Sequence, residues 1–267
     1  CTDRATSHNS TDTTVSRGEV VRGNHIEFER VPIVLPTNEV LCKQLSFYVK
    51  PGMNLLVVGP NGCGKSSMLR FLAGLWTIRD GRLTRPLSNR IYYIPQQSHM
   101  PSGTLRDQIT YPHKFAELEV SESTLLSCLE MAMLDDILKK PNISWNSSLS
   151  WASDVLSLGE RQKLAMARLF FHRPYFAVLD ECTSNLDVET EERLYDTCRQ
   201  LGISLITIAH RRSLWQHHNW ILHFDGQGGY IFSPVVFRED GTARLTKVVA
   251  ASDESLIGSE VCVNLCS

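Results

Sequence analysis

At 267 residues the chain is long enough for one large α/β domain, or for a core with an added lobe. Its 27 Lys and Arg against 29 Asp and Glu give a net charge of −2, which argues against an electrostatic nucleic-acid binder. No run of 18 apolar residues occurs, so the sequence offers no membrane span, and its first residues lack a signal-peptide layout.

Residues 1–24 are rich in Ser, Thr, Asn and Asp with little apolar periodicity, a composition that cannot offset the entropy of ordering and reads as a linker or disordered arm. The chain opens on Cys1 rather than Met, and is expected to be the soluble piece of a longer protein. Strands are predicted over 26–35 and 40–49, with Pro51-Gly52 turning the chain into a third apolar run, 53–58. That run ends in Gly59-Pro60-Asn61-Gly62-Cys63-Gly64-Lys65-Ser66, and a helix is predicted to follow from Ser67 over 67–75. A glycine-rich loop between strand and helix can wrap backbone N–H groups around phosphates, because glycine tolerates the dihedrals and the helix N-terminus adds positive potential. Lys65 would contact the β- and γ-phosphates, and the Ser66 hydroxyl would ligate Mg²⁺. The plain alternative is a strand-to-helix turn that binds nothing.

A further strand is predicted over 90–94, followed by Pro95 and by Gln96, whose amide can reach Mg²⁺ or an attacking water; Gln97 is the neighbouring candidate. Between 112 and 151 the sequence is polar and helical, with a helix over 120–139 and no strand signal. Ser157 and Glu160 stand in the spacing of a capping box, which predicts a helix start and then a helix over 163–171. The next strand, 175–179, runs into two adjacent acids, Asp180 and Glu181. The first, at the strand's C-terminal edge, suits Mg²⁺, held directly or through water on Ser66; the second suits orientation of a hydrolytic water, which points to an ATPase rather than a kinase. Asp187 is placed to cap a helix over 188–201. His210 closes a last apolar strand, 204–209, where a lone histidine is ordinarily structural. Short apolar strands alternating with helices predict a mainly parallel sheet covered on both faces, with the phosphate site at the strands' C-terminal edge. No element is assigned after about 233.

The order of these blocks, phosphate loop, Leu156-Ser157-Leu158-Gly159-Glu160, Asp180-Glu181, Ser184-Asn185-Leu186-Asp187 and Ala209-His210, resembles the nucleotide-binding domain of ATP-binding cassette (ABC) proteins. Tyr93-Ile94-Pro95-Gln96, Gly103-Thr104-Leu105-Arg106-Asp107-Gln108, Asp180-Glu181-Cys182-Thr183-Ser184 and His210-Arg211-Arg212-Ser213-Leu214-Trp215 are similar to the subfamily D half-transporters in particular. The resemblance covers about residues 25–232. It implies a P-loop NTPase fold with an antiparallel β subdomain and a helical subdomain at about 97–160, and a tail of unknown role over 233–267. It further implies ATP and Mg²⁺ as cofactors and hydrolysis by Glu181, His210 and Gln96. The nucleotide would be held by Gly59, Pro60, Asn61, Gly62, Cys63, Gly64, Lys65, Ser66 and Ser67, with the metal on Ser66, Gln96 and Asp180. Ser157, Gly159 and Asp187 would face the nucleotide of a second such domain, in a homo- or heterodimer. The remaining implied partner is a transmembrane domain, which would bring the chain to the membrane. The implied cargo is lipid-like, such as long-chain fatty acyl-CoA, at the cytosolic face of an organelle membrane. The peroxisome comes first, with lysosomal, endoplasmic-reticulum and bacterial inner membranes as alternatives. A soluble or regulatory ABC ATPase is the alternative function.

Three features complicate that pattern. Leu158 stands where the family's motif has its first glycine, and is expected to crowd a facing nucleotide. Ile33-Val34-Leu35-Pro36 offers no aromatic for the adenine, so Leu35 or Val34 is expected to give aliphatic contact instead. Eight cysteines invite a disulfide reading, but Cys63 and Cys182 lie inside phosphate-handling motifs, so reduced thiols are expected; Cys262 and Cys266 lack zinc-site partners.

Overall fold

A computed structural model describes residues 18–147 and 156–237, together with two short strands beyond them. A four-stranded sheet comes first, in the order β1 (Glu19–Arg22), β5 (Arg82–Arg85), β2 (Ile26–Val34) and β3 (Val40–Val49). It is antiparallel except where β1 pairs parallel with β5. In β2, Ile26 and Phe28 point inward, and strict alternation would then expose Val31 and Ile33. The register shifts between Phe28 and Val31, where Arg30 takes φ 51, and this bulge returns Val31 and Ile33 to the interior. Strand β1 corrects the expected arm: residues 19–22 have polar flanks but pair with β5, and only 1–17 lie outside the described residues.

The second sheet runs β12 (Glu260–Val261), β11 (Ala243–Thr246), β10 (Tyr230–Phe237), β9 (Trp220–Phe224), β4 (Leu55–Val58), β8 (Ser204–Ile208), β7 (Phe176–Asp180) and β6 (Ile91–Ile94). Its five strands from β9 to β6 are parallel, as expected of the sheet, but β9 itself and the antiparallel edge of β10 to β12 lie beyond the last predicted strand, 204–209. β7 and β8 are buried along almost their whole length because both sheet faces are covered. Successive residues therefore enter two different cores. Phe176 and Val178 pack with the small sheet and with α1 (Lys65–Ala73), whereas Ala177 and Leu179 pack with α4 (Leu158–His172) and α5 (Val188–Gln200).

Against α4 sit α2 (Leu105–Thr110) and α3 (Glu122–Met131), the helical lobe. The helix predicted over 120–139 is broken. α3 ends at Met131, Met133 takes φ 54 and Leu134 N–H closes onto the Leu129 carbonyl at 2.8 Å; a 3-10 turn, Asp135–Lys139, follows. This change of direction buries Leu134 and Ile137, which a straight continuation of α3 would turn away from its buried face of Leu125, Cys128 and Leu129. Residues 148–155, between the lobe and α4, lie outside the described residues, as do most of 238–267, including Cys262 and Cys266.

Candidate nucleotide site

The Gly59–Ser66 stretch joins β4 to α1. Gly59 takes φ 145, and a Cβ there would lie 2.6 Å from the Phe224 carbonyl oxygen; Gly64 takes φ 109 at the head of α1. Side chains at these two positions would force the loop to move. Helix α1 has neither a side-chain cap nor an acid in its first turn, whereas α2, α3, α4 and α5 are capped by Thr104, Ser121, Ser157 and Asp187. The first N–H groups of α1 thus keep their positive potential for an anion.

In front of the loop lies a cleft of about 540 Å³. Asn61, Gly62, Gly64, Lys65, Ser66 and Ser67 line it on one side, Gln96, Glu181 and His210 on another, with Leu35, Leu41 and Ile208 completing the wall. Gly59, Pro60 and Cys63 stand behind this lining. The Gly59 and Pro60 carbonyls accept from Lys65 Nζ at 2.7 and 2.8 Å, which fixes the buried lysine across the loop with its third donor still available. Cys63 is buried, and burial raises its thiol pKa against the opposing pull of Lys65, so it is a poor nucleophile. The other described cysteines, Cys42, Cys128, Cys182 and Cys198, are likewise free and buried.

Asp180 ends β7 close to Ser66, whose hydroxyl favours the charged form of the carboxylate. Burial, and then the charge of adjacent Glu181, raise the Asp180 pKa above the ordinary carboxylate value, while Ser66, Lys65 and Arg70 oppose the rise. A carboxylate and a hydroxyl oxygen form the hard donor set that suits Mg²⁺ sharing its shell with phosphate oxygens and water, and a cation there would relieve the cost of charging Asp180.

Glu181 is the meeting point of the cleft. It leaves β7 at φ 48, a left-handed conformation unusual for a non-glycine residue, and its N–H donates to the Ile208 carbonyl at 3.0 Å. Its carboxylate accepts from Gln96 Nε2 at 3.0 Å and lies 3.2 Å from His210 Nε2. The amide nitrogen of Gln96 is thus engaged by Glu181, leaving its carbonyl oxygen as the atom that can ligate a metal.

Ser157, Gly159 and Asp187 do not line this cleft. Ser157 caps α4 in the predicted capping box, accepting from Glu160 N–H at 3.2 Å while its own N–H donates to Glu160 at 2.9 Å. The Glu160 carboxylate, whose pKa partial burial tends to raise, is held below its ordinary value by Lys140 and Ser157. Asp187 caps α5 through the Thr190 N–H and hydroxyl, both at 2.8 Å, and those bonds lower its pKa. A Cβ at Gly159 would lie 3.4 Å from the Asn185 carbonyl oxygen, so the head of α4 and the 185–187 loop form one surface, with Leu158 61% exposed upon it. Sequence reasoning missed Leu41 and Ile208 in the cleft and Gln162 and Arg211 around this loop. Only the position of Arg211 next to His210 offered a signal.

The residues 42–184, just over half of the chain, match the family model described as ABC transporter. The chain belongs to the ABC transporter family. It is 46% identical over 222 residues to "ATP-binding cassette sub-family D member 3" of Mus musculus, covering 82% of this chain and 33% of that one. It is 42% identical over 243 residues to "ABC transporter D family member 1" of Arabidopsis thaliana, covering 86% and 17%. Among solved structures, that of a bacterial Atm1-family ABC exporter with ATP bound aligns at TM-score 0.67 and 26% identity, over 79% of this chain and 39% of that one. The chain thus spans about a third or less of these curated relatives' length, and among the described residues no helix is long and apolar enough to cross a membrane. Fold class and family agree with the sequence reading: an ABC nucleotide-binding domain of the P-loop NTPase class, similar to subfamily D half-transporters.

Leu35, from the stretch that lacks the expected aromatic, lines the cleft together with Leu41, whereas Val34 does not. The preference for ATP over GTP is expected to stay within about tenfold, ~1.4 kcal/mol, because the missing stacking is worth ~0.5–1.5 kcal/mol beyond burial. Competition binding checks this, and an ATP preference of about a hundredfold would overturn it.

Proposed function

We propose that this chain is the ATP-hydrolysing cassette of a half-transporter, and that two such domains meet head to tail around two Mg-ATP molecules. The observation that carries the reading is Glu181, fixed between Gln96 and His210 at the mouth of the phosphate-loop cleft. In this reading the loop amides and Lys65 bind the phosphates, and Glu181 draws on the proton of the attacking water. Gln96 and His210 orient that carboxylate, with His210 also placed to stabilise charge on the γ-phosphate. Ser66 and Asp180 hold Mg²⁺, which when bound supplies electrostatic neutralisation of the phosphates.

Ser157, Gly159 and Asp187 are assigned to the second copy's nucleotide. Their support is their gathering on a separate surface, away from the cleft of their own chain. Ser157 Oγ accepts from Glu160 N–H and its hydroxyl also serves the Glu160 carboxylate, so a facing phosphate would compete with Glu160 for that proton. The sub-family D relatives favour the partners implied by the sequence: a membrane domain, a lipid-like cargo such as long-chain fatty acyl-CoA, and the cytosolic face of the peroxisomal membrane.

Complementation tests the shared site. Lys65→Ala and Ser157→Arg each spoil both sites of a dimer, but a mixed dimer retains one site with an intact Lys65 and an intact Ser157. Mixing the two inactive proteins is expected to restore roughly a quarter of parental hydrolysis, since half of randomly formed dimers are mixed. No recovery would overturn the head-to-tail arrangement.

A further inference from the structure

We propose that Glu191 is a positioning residue that locks His210 to the 183–187 loop, so that the group facing the chain's own nucleotide and the loop offered to a second copy move as one unit. The inference rests on the shared-site reading above. Glu191 lies in the first turn of α5, and its side chain is only 1% exposed. A carboxylate needs no burial to serve a helix N-terminus, and Glu189 in the same turn does so in the open. Burying one is costly unless its oxygens are bonded.

Among the described residues, the bonds of the Glu191 side chain go to the two segments in question. Thr183 Oγ1, two residues beyond Glu181, donates to it at 2.6 Å, and Ser213 Oγ, three residues beyond His210, donates at 3.0 Å. Arg211, next to His210, brings Nη1 to 3.6 Å from the same carboxylate. Its guanidinium then donates to the Leu186 carbonyl at 2.8 Å and to the Ser184 carbonyl at 2.6 Å. Glu191 therefore holds the start of the loop directly and its end through Arg211. From the other side, Gln162 of α4 accepts from Asn185 N–H at 3.0 Å and donates to Ser184 Oγ at 3.3 Å. A small cavity of about 80 Å³, lined in part by Glu181, His210, Thr183 and Glu191, separates the clamp from the reacting end. Glu191 thus acts through the backbone it anchors rather than by touching substrate.

The test is steady-state hydrolysis by the full-length protein carrying Glu191→Gln, Arg211→Met or both. Glutamine keeps the shape and an acceptor for Thr183 but removes the charge that faces Arg211. Each single change is expected to lower kcat by ~10- to 100-fold with KM for ATP within about twofold, because misplacement of catalytic groups costs turnover rather than binding. The double change is expected to lose no more than the worse single, since both cut one clamp. Unchanged kcat in both singles, or losses that multiply, would overturn the proposal. Amide hydrogen exchange on the same variants supplies a readout independent of turnover. Protection over 184–187 and 211–213 is expected to fall together in either variant, and a fall in only one segment would also overturn it. If the parent itself fails to hydrolyse ATP, the proposed function falls while the exchange result still decides the clamp. If Glu191→Gln does not fold, Arg211→Met carries both measurements.

Discussion

Glu181→Gln is expected to cut ATP turnover by roughly 10²- to 10⁴-fold, the range over which a positioned general base acts. Glutamine has the shape of glutamate, and its carbonyl oxygen can still accept from Gln96, which now lies 3.0 Å from the carboxylate. It cannot take a proton from water. Nucleotide affinity is expected to remain near the parental value, because Lys65 and Ser66 on α1 are untouched and removal of the Glu181 charge favours the ionised form of neighbouring Asp180. With hydrolysis stopped, the nucleotides between two copies are retained, so the variant is expected to run as an ATP-stabilised dimer in size-exclusion chromatography while the parent cycles back to monomer. Phosphate release and dimer lifetime measured side by side check both halves of this expectation. Hydrolysis at the parental rate in Glu181→Gln would assign the water-orienting role elsewhere.

Lys65→Ala is expected to lose nucleotide binding by about 10²-fold, since a charge-assisted hydrogen bond from its third donor to phosphate contributes ~1.5–3 kcal/mol. From the sequence alone this substitution would cost binding more than it disturbs folding, because the loop is expected to be exposed when empty. The structure alters that expectation: Lys65 is buried, and its Nζ already bridges the Gly59 and Pro60 carbonyls. Alanine leaves those two carbonyls without this donor, so some loss of stability accompanies the loss of binding, of order ~1–3 kcal/mol if they stay dry and less if water reaches them. Calorimetric titration with ATP and thermal melts of the empty chain separate the two effects. Equal ATP affinity in variant and parent would overturn the assignment of Lys65 to the phosphates.

The parts of the site that lie within a few residues of one another were legible in the chain. The phosphate loop is written in its glycine spacing and in the apolar run before it, and the helix expected from Ser67 follows it, although α1 already begins at Lys65 within the motif. The capping box at Ser157 and Glu160 and the cap at Asp187 were equally readable, since each bond is made within three residues. What the sequence could not contain is the convergence on Glu181. Gln96 is 85 residues away along the chain, and it meets Glu181 only because β6 and β7 lie side by side. The register that sets Asp180 opposite Ile208 brings His210 out of the sheet beside Glu181. The burial of Glu191 under the 183–187 loop was invisible for the same reason: its partners Thr183, Arg211 and Ser213 lie on other segments. Local propensity likewise could not foresee the break at Met133, which is decided by the need to seat Leu134 and Ile137 in the helical lobe. Spacing and periodicity act over one turn or one strand and so determine caps, loops and element types. Which distant side chains share a hydrogen bond depends on strand register and on the packing of two cores against one sheet, and those exist only once the chain has folded.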